Sequence, residues 1–347
     1  MARRQLLKGL GAIAAVTPLA QVQRTQAGSF PILKPSRLQS GDAMGIISPA
    51  GATFRHEELE IVMDAVRGLG LIPRAAPHVL DRYGYLAGRD RDRAADVNQF
   101  FADPTIAALL PIRGDWGSAR ILPYLDYDLI RRNPKIIVGF SDLTALLLGI
   151  HAQTGLVTFH GPNGLTAWRN DQTQPFQQML FEGDALAFEN TPAPEDSDRL
   201  MQVKLRINTI TPGRAQGKLY GGNLSVLSGI VGSPYLPDLT GAILFVEDVG
   251  EPIYRIDRLL TQLKLTGVLD NLAGFVFGQC TNCGPSNGYG ALTLEEVLQD
   301  HIAPLGIPAW SNAAIGHLEP VLTFPLGIEV AIDANMGRIV MSAAAVT

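Results

Sequence analysis

Residues 136–152 read IIVGFSDLTALLLGIHA, and the fold class turns on this stretch. Ile136, Ile137 and Val138 make a short β-branched run of the kind that forms a buried strand. The run breaks at Gly139-Phe140-Ser141-Asp142, and Leu143 to Ala152 then continue at a length suited to a helix. A strand that passes through a tight turn into a helix is the first half of a βαβ unit.

The same alternation extends toward the N-terminus. Met44 to Ile47 read as a first buried strand that opens at Ser48-Pro49-Ala50-Gly51. Residues 56–69 place Leu59, Val62, Met63, Val66 and Leu69 at helical spacing, and Ile72 begins another extended piece. Residues 89–101 form a second amphipathic helix. Ala107 to Ile112 form another strand, which ends at Arg113-Gly114-Asp115-Trp116-Gly117. Short apolar strands alternating with helices predict an α/β protein whose N-terminal domain, about 40–165, is a three-layer unit around a parallel sheet.

Residues 166–200 turn polar and read as a helix followed by an extended linker with Pro192 and Pro194. Beyond them the pattern predicts a C-terminal mixed α/β domain rich in strands, 201–347. Its strands are expected at 201–212, 242–246, 274–278 and 308–310, with two more runs joined at Asn335-Met336-Gly337. Helices are expected at 224–229, 254–264 and 294–302.

The chain of 347 residues is 46% hydrophobic and 18% charged, which excludes disordered and fibrous classes. Its formal charge is -5, and the residues after 27 carry 24 Lys plus Arg against 33 Asp plus Glu. So acidic a body is poorly suited to a nucleic acid backbone. The first 27 residues have the layout of an export signal: Arg3-Arg4 and Lys8, a weakly apolar run from Gly9 to Ala20, then Thr25-Gln26-Ala27 as a small-x-small site. The paired arginines followed by Gln-Leu-Leu-Lys resemble the twin-arginine class. The apolar run is shorter than the roughly 20 residues of a spanning helix. An exported, periplasmic or extracellular protein without stable membrane insertion is therefore expected. The alternative is an N-terminal extension on a cytoplasmic protein.

Several loops could carry chemistry. Ser141, between a strand and a helix, is placed to expose a hydroxyl beside helix N-terminal amides, although the same position suits a helix cap. Leu143 stands where the common nucleophile elbow has glycine, so the α/β-hydrolase signature is not met. The turn at 113–117 has two glycines whose neighbourhood could gather amides around an oxyanion, or could be a tight structural turn. Ser225, after Gly221-Gly222-Asn223, is a rival nucleophile. Glu247 and Asp248 end a strand, and His317 lies in a loop after one. His56, His78, His151, His160, His301 and His317 make no metal-ligand spacing, so no metal or other cofactor is expected. Cys280-Thr281-Asn282-Cys283 cannot fill a four-sulfur site, and its loop setting argues against a redox motif; a local disulfide and two buried thiols are both open.

Taken in order, these pieces resemble the LD-carboxypeptidases, serine peptidases of the muramoyl-tetrapeptide carboxypeptidase and microcin-immunity type. The resemblance runs from about Gly41 to the C-terminus. It is carried by Gly45-Ile46-Ile47-Ser48-Pro49-Ala50, the turn at 113–117, Gly139 to Thr144, His160-Gly161-Pro162, Gly221 to Leu224, Glu247-Asp248 with Tyr254 and Asp257, and Gly316-His317. It implies Ser141 as nucleophile, His317 as general base and Glu247 as the acid orienting it. It also implies oxyanion donation from the amide of Asp142 and from the Gly114-Asp115 turn. The family's turn usually reads Arg-Gly-Gly-Tyr-Gly; here Asp115 and Trp116 stand instead, which puts rate and substrate choice in question.

The implied substrate is a cell-wall stem peptide, or another small peptide, ending in a D-amino acid. Arg113 is placed to meet its carboxylate, or to form a structural salt bridge. Trp116 and Trp168 are conceivable stacking residues. Family members are often dimers, so a homodimer is compatible. Two other readings stay open: an amidase acting on a peptide antibiotic or modified peptide, and an exported peptide-binding protein without turnover.

Overall fold

The computed structural model describes residues 30–191, 196, 198–285 and 290–347. The expected leader, 1–27, lies outside the described residues, as do Pro192 and Pro194. Among the described residues no helix is long and apolar enough to cross a membrane.

Five short strands build the first sheet: β1 (Ala43–Ile47), β2 (Ile72–Ala75), β3 (Ile106–Pro111), β4 (Ile136–Gly139) and β5 (Thr158–His160). All their pairings are parallel, in the order β2-β1-β3-β4-β5. Helices α1 (His56–Gly68), α2 (Asp90–Ala102), α3 (Tyr127–Arg132) and α4 (Leu143–Thr154) fall between successive strands. Layers on both faces explain why β3 and β4 are unbroken apolar runs with little exposure. Strand order reverses direction between β1 and β3, and in such sheets that is where a crevice opens at the carboxyl ends. The loops after β1, β3 and β4 meet there, with the Gly51 amide donating to the Gly114 carbonyl at 2.9 Å.

α4 is buried from Leu143 through Ala152, as expected of a helix that is apolar all round. A second sheet covers its other side. After α5 (Asn170–Gln177) come β6 (Ala187–Phe188), β7 (Asn208–Thr211), β8 (Arg214–Asn223), α6 (Leu224–Ile230), β9 (Ile243–Val249), α7 (Ile253–Leu265), β10 (Gly274–Thr281), α8 (Leu294–Ile302) and β11 (Ala309–Ser311). Then follow β12 (Phe324–Leu326), β13 (Glu329–Asp333) and β14 (Arg338–Met341). The order is β6-β14-β13-β8-β9-β10-β11-β7, parallel from β8 to β11 and antiparallel on both flanks. The fold is thus mixed α/β, a parallel N-terminal sheet with a strand-rich mixed sheet after it. Thr144 Oγ1 accepts the Asn223 amide at 2.9 Å, which fixes α4 to the end of β8.

Four local features differ from the sequence-based expectations. Strand β12, within the C-terminal segment, pairs antiparallel with β5 in the first sheet. Residues 312–323 therefore span from one sheet to the other. β9 runs through Glu247 and Asp248 rather than ending before them, and β10 continues through Thr281. The expected strand at 201–212 shrinks to β7. There the alternation of Val203, Leu205 and Ile207 imitates a strand, but Leu205 has φ 52, and the Asp196 carboxylate accepts the amides of Val203 and Lys204.

Candidate active site

Ser141 sits between β4 and α4 at φ 64, in the left-handed region that non-glycine residues seldom enter. Its hydroxyl does not cap the helix. The N-cap position is Asp142, which has no side-chain cap. Instead Ser141 Oγ lies 3.0 Å from His317 Nε2, and His317 Nδ1 lies 2.7 Å from Glu247 Oε2. Since a carboxylate only accepts, Nδ1–H donates to Glu247, which leaves Nε2 to accept the Ser141 proton. Residues 141, 247 and 317 thus form one hydrogen-bonded line, drawn from α4's N-terminus, β9 and the crossing loop.

Glu247 is fully buried, and among the described residues its second oxygen, Oε1, has no hydrogen-bond partner. A buried carboxylate with one strong donor is held by that donor, so the pair with His317 is the main compensation for its desolvation. Phe140 packs against the His317 ring at 5.0 Å between centroids. Behind it His160 is buried among Phe140, Phe245 and Phe324, and burial lowers its pKa to about 3. It is therefore a neutral packing group at physiological pH.

The loop that carries His317 is held by three polar side chains from elsewhere. Asn190 donates to the Asn312 carbonyl at 2.6 Å and accepts the Ala314 amide at 2.7 Å. Gln279 donates from its amide to Ile315 O at 2.8 Å and from Nε2 to Ala313 O at 3.1 Å. Thr281 Oγ1 donates to the carbonyl of His317 itself at 2.9 Å.

The turn after β3 lies against the nucleophile. A Cβ on Gly114 would stand 2.9 Å from Ser141 Cβ and 3.3 Å from the Asp142 amide nitrogen, so only glycine fits. Among the described residues the Asp142 amide donates to no protein acceptor. Its carboxylate is buried and accepts the Ser118 amide at 2.7 Å, while Ser118 Oγ donates to its carbonyl. Burial holds that carboxyl above the usual range despite the Ser118 contact. Arg93, whose side chain is wholly buried, donates to Pro49 O and, at 3.0 Å, to Gly117 O. It thereby ties the loops after β1 and β3 together.

Asp115 has φ 71 and leans on Gly51, with its carboxylate 3.5 Å from Arg113. Arg113 also reaches Glu58 at 3.2 Å. Burial pushes the Glu58 carboxyl up, but the Arg55 hydrogen bond and the charges of Arg113 and Arg55 outweigh it and hold it low. Arg113 is thus already paired with two acids, and 26% of its side chain remains exposed at the rim. Trp116 is two-thirds exposed beside it. Trp168 is a packing residue: its Nε1 donates to Gly164 O, and its ring stands edge-on to Phe176.

Ser225, the rival nucleophile, donates to Asp248 at 2.8 Å and reaches Glu251 at 3.3 Å, and among the described residues it bonds no histidine. Cys280 and Cys283 are joined as a disulfide, which resolves the open alternative in favour of the local bridge. Arg93, Asn190, Gln279 and Thr281 escaped the sequence reading. For Arg93 a signal was present, since it shares a helical face with Val97, Phe100 and Phe101.

Comparison with known proteins matches residues 44–161 to the LD-carboxypeptidase N-terminal domain and 216–332 to its C-terminal domain. A probable murein peptide carboxypeptidase of Bacillus subtilis is 37% identical over 300 residues, covering 86% of this chain and 91% of that protein. The microcin C7 self-immunity protein MccF of Escherichia coli is 36% identical over 330 residues, covering 88% and 94%. A solved structure of microcin C7 self-immunity protein MccF without ligand superposes with a TM-score of 0.81 at 29% identity, covering 91% of this chain and all of that one. With both domain models matched and relatives this similar along most of its length, the chain belongs to the LD-carboxypeptidase family.

Proposed function

We propose that the protein is a serine-type LD-carboxypeptidase that removes the terminal D-amino acid from peptidoglycan stem peptides, with Ser141 as nucleophile, His317 as general base and Glu247 as its orienting acid. The observation that carries this reading is the line Ser141–His317–Glu247, at 3.0 and 2.7 Å, with the serine held at φ 64. Murein peptide carboxypeptidases among the relatives support the substrate class.

In this reaction His317 Nε2 takes the hydroxyl proton as Ser141 Oγ attacks the scissile carbonyl. The oxyanion that forms lies near the Asp142 amide and the Gly114–Asp115 turn. The imidazolium, steadied by Glu247, returns the proton to the leaving D-amino acid nitrogen. Water then attacks the acyl-enzyme with His317 again as base, and Ser141 is released with its proton. The exposed part of Arg113 faces the rim, where a peptide's terminal carboxylate can meet a cation. The export reading rests on the leader residues, and a surface-near disulfide suits an oxidising compartment.

The test is incubation of the full chain with L-Ala-D-Glu-diaminopimelate-D-Ala, beside S141A, with D-Ala detected by mass spectrometry. Release by wild type alone supports the reading; release by S141A at the same rate overturns the role of Ser141. A second reading is favoured by the likeness to MccF, structures of which hold aspartyl sulfamoyl adenosine and glutamyl sulfamoyl guanosine. Hydrolysis of such aminoacyl nucleotides without D-Ala release would move the function to that branch, with Trp116 as the exposed ring beside the cleft.

A further inference from the structure

We propose that the Cys280–Cys283 disulfide positions the catalytic histidine, acting through Thr281, so that opening the bridge slows acylation with little effect on substrate binding. This rests on His317 serving as the base in the reaction described above. The disulfide lies at the end of β10, half-buried against the core, on a strand already paired with β9. What it closes is the turn that contains Thr281.

Thr281 is the last residue of β10, and its hydroxyl donates to the His317 carbonyl at 2.9 Å. Its own carbonyl accepts the Gly250 amide at 2.8 Å, just beyond the strand that carries Glu247. One residue therefore bonds the base's backbone and the segment following the orienting acid. Strand pairing does not extend beyond it: Asn282 turns at φ 56, and the chain moves away from the sheet. The Cys283 amide donates to the Cys280 carbonyl, and the Gly284 carbonyl accepts the amide of Ile253 at the start of α7. With the bridge formed, Cys280 to Cys283 is a closed loop that cannot fray. With it open, the end of β10 keeps its hydrogen bonds but loses its covalent closure, and strand ends are where local opening is least costly, so the Thr281 bond to the His317 carbonyl loosens before those that Asn190 and Gln279 make to the same loop.

The geometric requirement is strict. Nε2 stands 3.0 Å from Ser141 Oγ while Nδ1 stands 2.7 Å from Glu247, so a shift of the 313–317 loop spoils both contacts together. Misplacing a reacting group by about 1 Å can cost about 10²-fold in rate. The substrate carboxylate would be met by Arg113, whose ion pairs among the described residues are with Glu58 and Asp115 and not with the β10 turn. This predicts an effect on kcat rather than KM.

The experiment treats the full chain with dithiothreitol, which supplies two electrons and two protons to convert the disulfide into two thiols while itself closing to a cyclic disulfide. Alkylation and mass spectrometry establish that the bridge has opened. The expected result is a fall in kcat of about tenfold or more, with KM changed less than about twofold. Backbone amides of 313–318 should also exchange faster. C280S/C283S should reproduce both effects and be insensitive to dithiothreitol. T281V should lower kcat in the oxidised protein, and T281S, which keeps the hydroxyl, should restore it. Unchanged amide exchange and kcat after proven reduction would overturn the proposal, as would two free thiols in the untreated protein. If wild type releases no D-amino acid, the functional reading fails, and the exchange rates alone decide the coupling. If T281V does not fold, the reduction arm decides it.

Discussion

Gly316 rests directly on Glu247: a Cβ built on it would fall 2.9 Å from the Glu247 Cβ and 3.0 Å from its Oε2, and its φ is 127. The backbone that presents the imidazole is therefore seated on the carboxylate that the imidazole bonds. G316A must move the loop or the acid, and it also adopts a backbone conformation costly for alanine. A folded G316A protein is expected to lose about 10²-fold in kcat with KM nearly unchanged. Steady-state D-Ala release measures this, and a loss below threefold would show that the two can separate without disturbing the line.

Glu247 invites a subtler change. E247Q preserves shape but replaces an acceptor-only group with an amide that can point a donor at Nδ1. That would favour the imidazole tautomer carrying its proton on Nε2, where it cannot accept from Ser141. In serine proteases the equivalent acid-to-amide change costs about 10⁴ in kcat, and a loss of about 10³ to 10⁴ is expected here. Single-turnover acylation is the readout. Retention of a tenth of wild-type activity would assign Glu247 a structural role only.

The fold class was legible from strands β3 and β4 and from α4, because burial on all sides leaves continuous apolar runs that polar surface elements never show. Ser141 was legible as the residue between strand and helix. Its pairing with His317 was not, since the two are 176 residues apart and nothing local to either names the other; family likeness supplied that link. β12 was hidden for a physical reason: three residues, one of them Pro325, carry no periodicity. Their place in the first sheet depends on β5 offering a free edge. Asn190 and Thr281 were hidden because their partners are carbonyls of a distant loop, which any sequence supplies. Arg93 was one more charge in a helix read only as amphipathic. Only its spacing to Val97, Phe100 and Phe101 betrays a buried guanidinium.

Asp115 is the chain's departure from the usual glycine, and the structure gives that departure a consequence. Its carboxylate sits 3.5 Å from Arg113, so if Arg113 meets the substrate carboxylate as proposed above, the two carboxylates would compete for one guanidinium. D115G removes one of the two acids on Arg113, leaving Glu58 at 3.2 Å, and, at φ 71, suits the backbone. The expected outcome is a KM lower by about threefold to tenfold, equivalent to about 1 kcal/mol, with the gain shrinking as salt is raised. Peptides with an amidated C-terminus should show no gain. An equal gain on both peptides would mean that Asp115 acts on the turn rather than on Arg113.

Two buried histidines weaken the fold as pH falls. His151 donates from Nδ1 to Leu156 O at 2.8 Å, and its Nε2, which in the neutral ring accepts the Tyr220 hydroxyl, stands 2.9 Å from it. Burial lowers its pKa to about 4 and that of His160 to about 3. An unfolded histidine titrates near 6.5. Below that pH the unfolded chain binds protons that the folded one refuses, so stability is complete above about 6.5 and falls as pH drops toward 4. Each histidine should contribute about 1 kcal/mol of loss per pH unit in that window. Denaturant titrations between pH 5 and 6.5 should therefore show a slope from this pair that rises from about one proton's worth at pH 6.5 toward about two near pH 5. H160F, which keeps a ring among Phe140, Phe245 and Phe324, shifts the absolute stability through its larger volume, but the slope is the informative quantity: near pH 5 it should fall by about one proton. A slope unchanged in H160F would mean that His160 takes up its proton in the folded state as readily as in the unfolded one, against its burial.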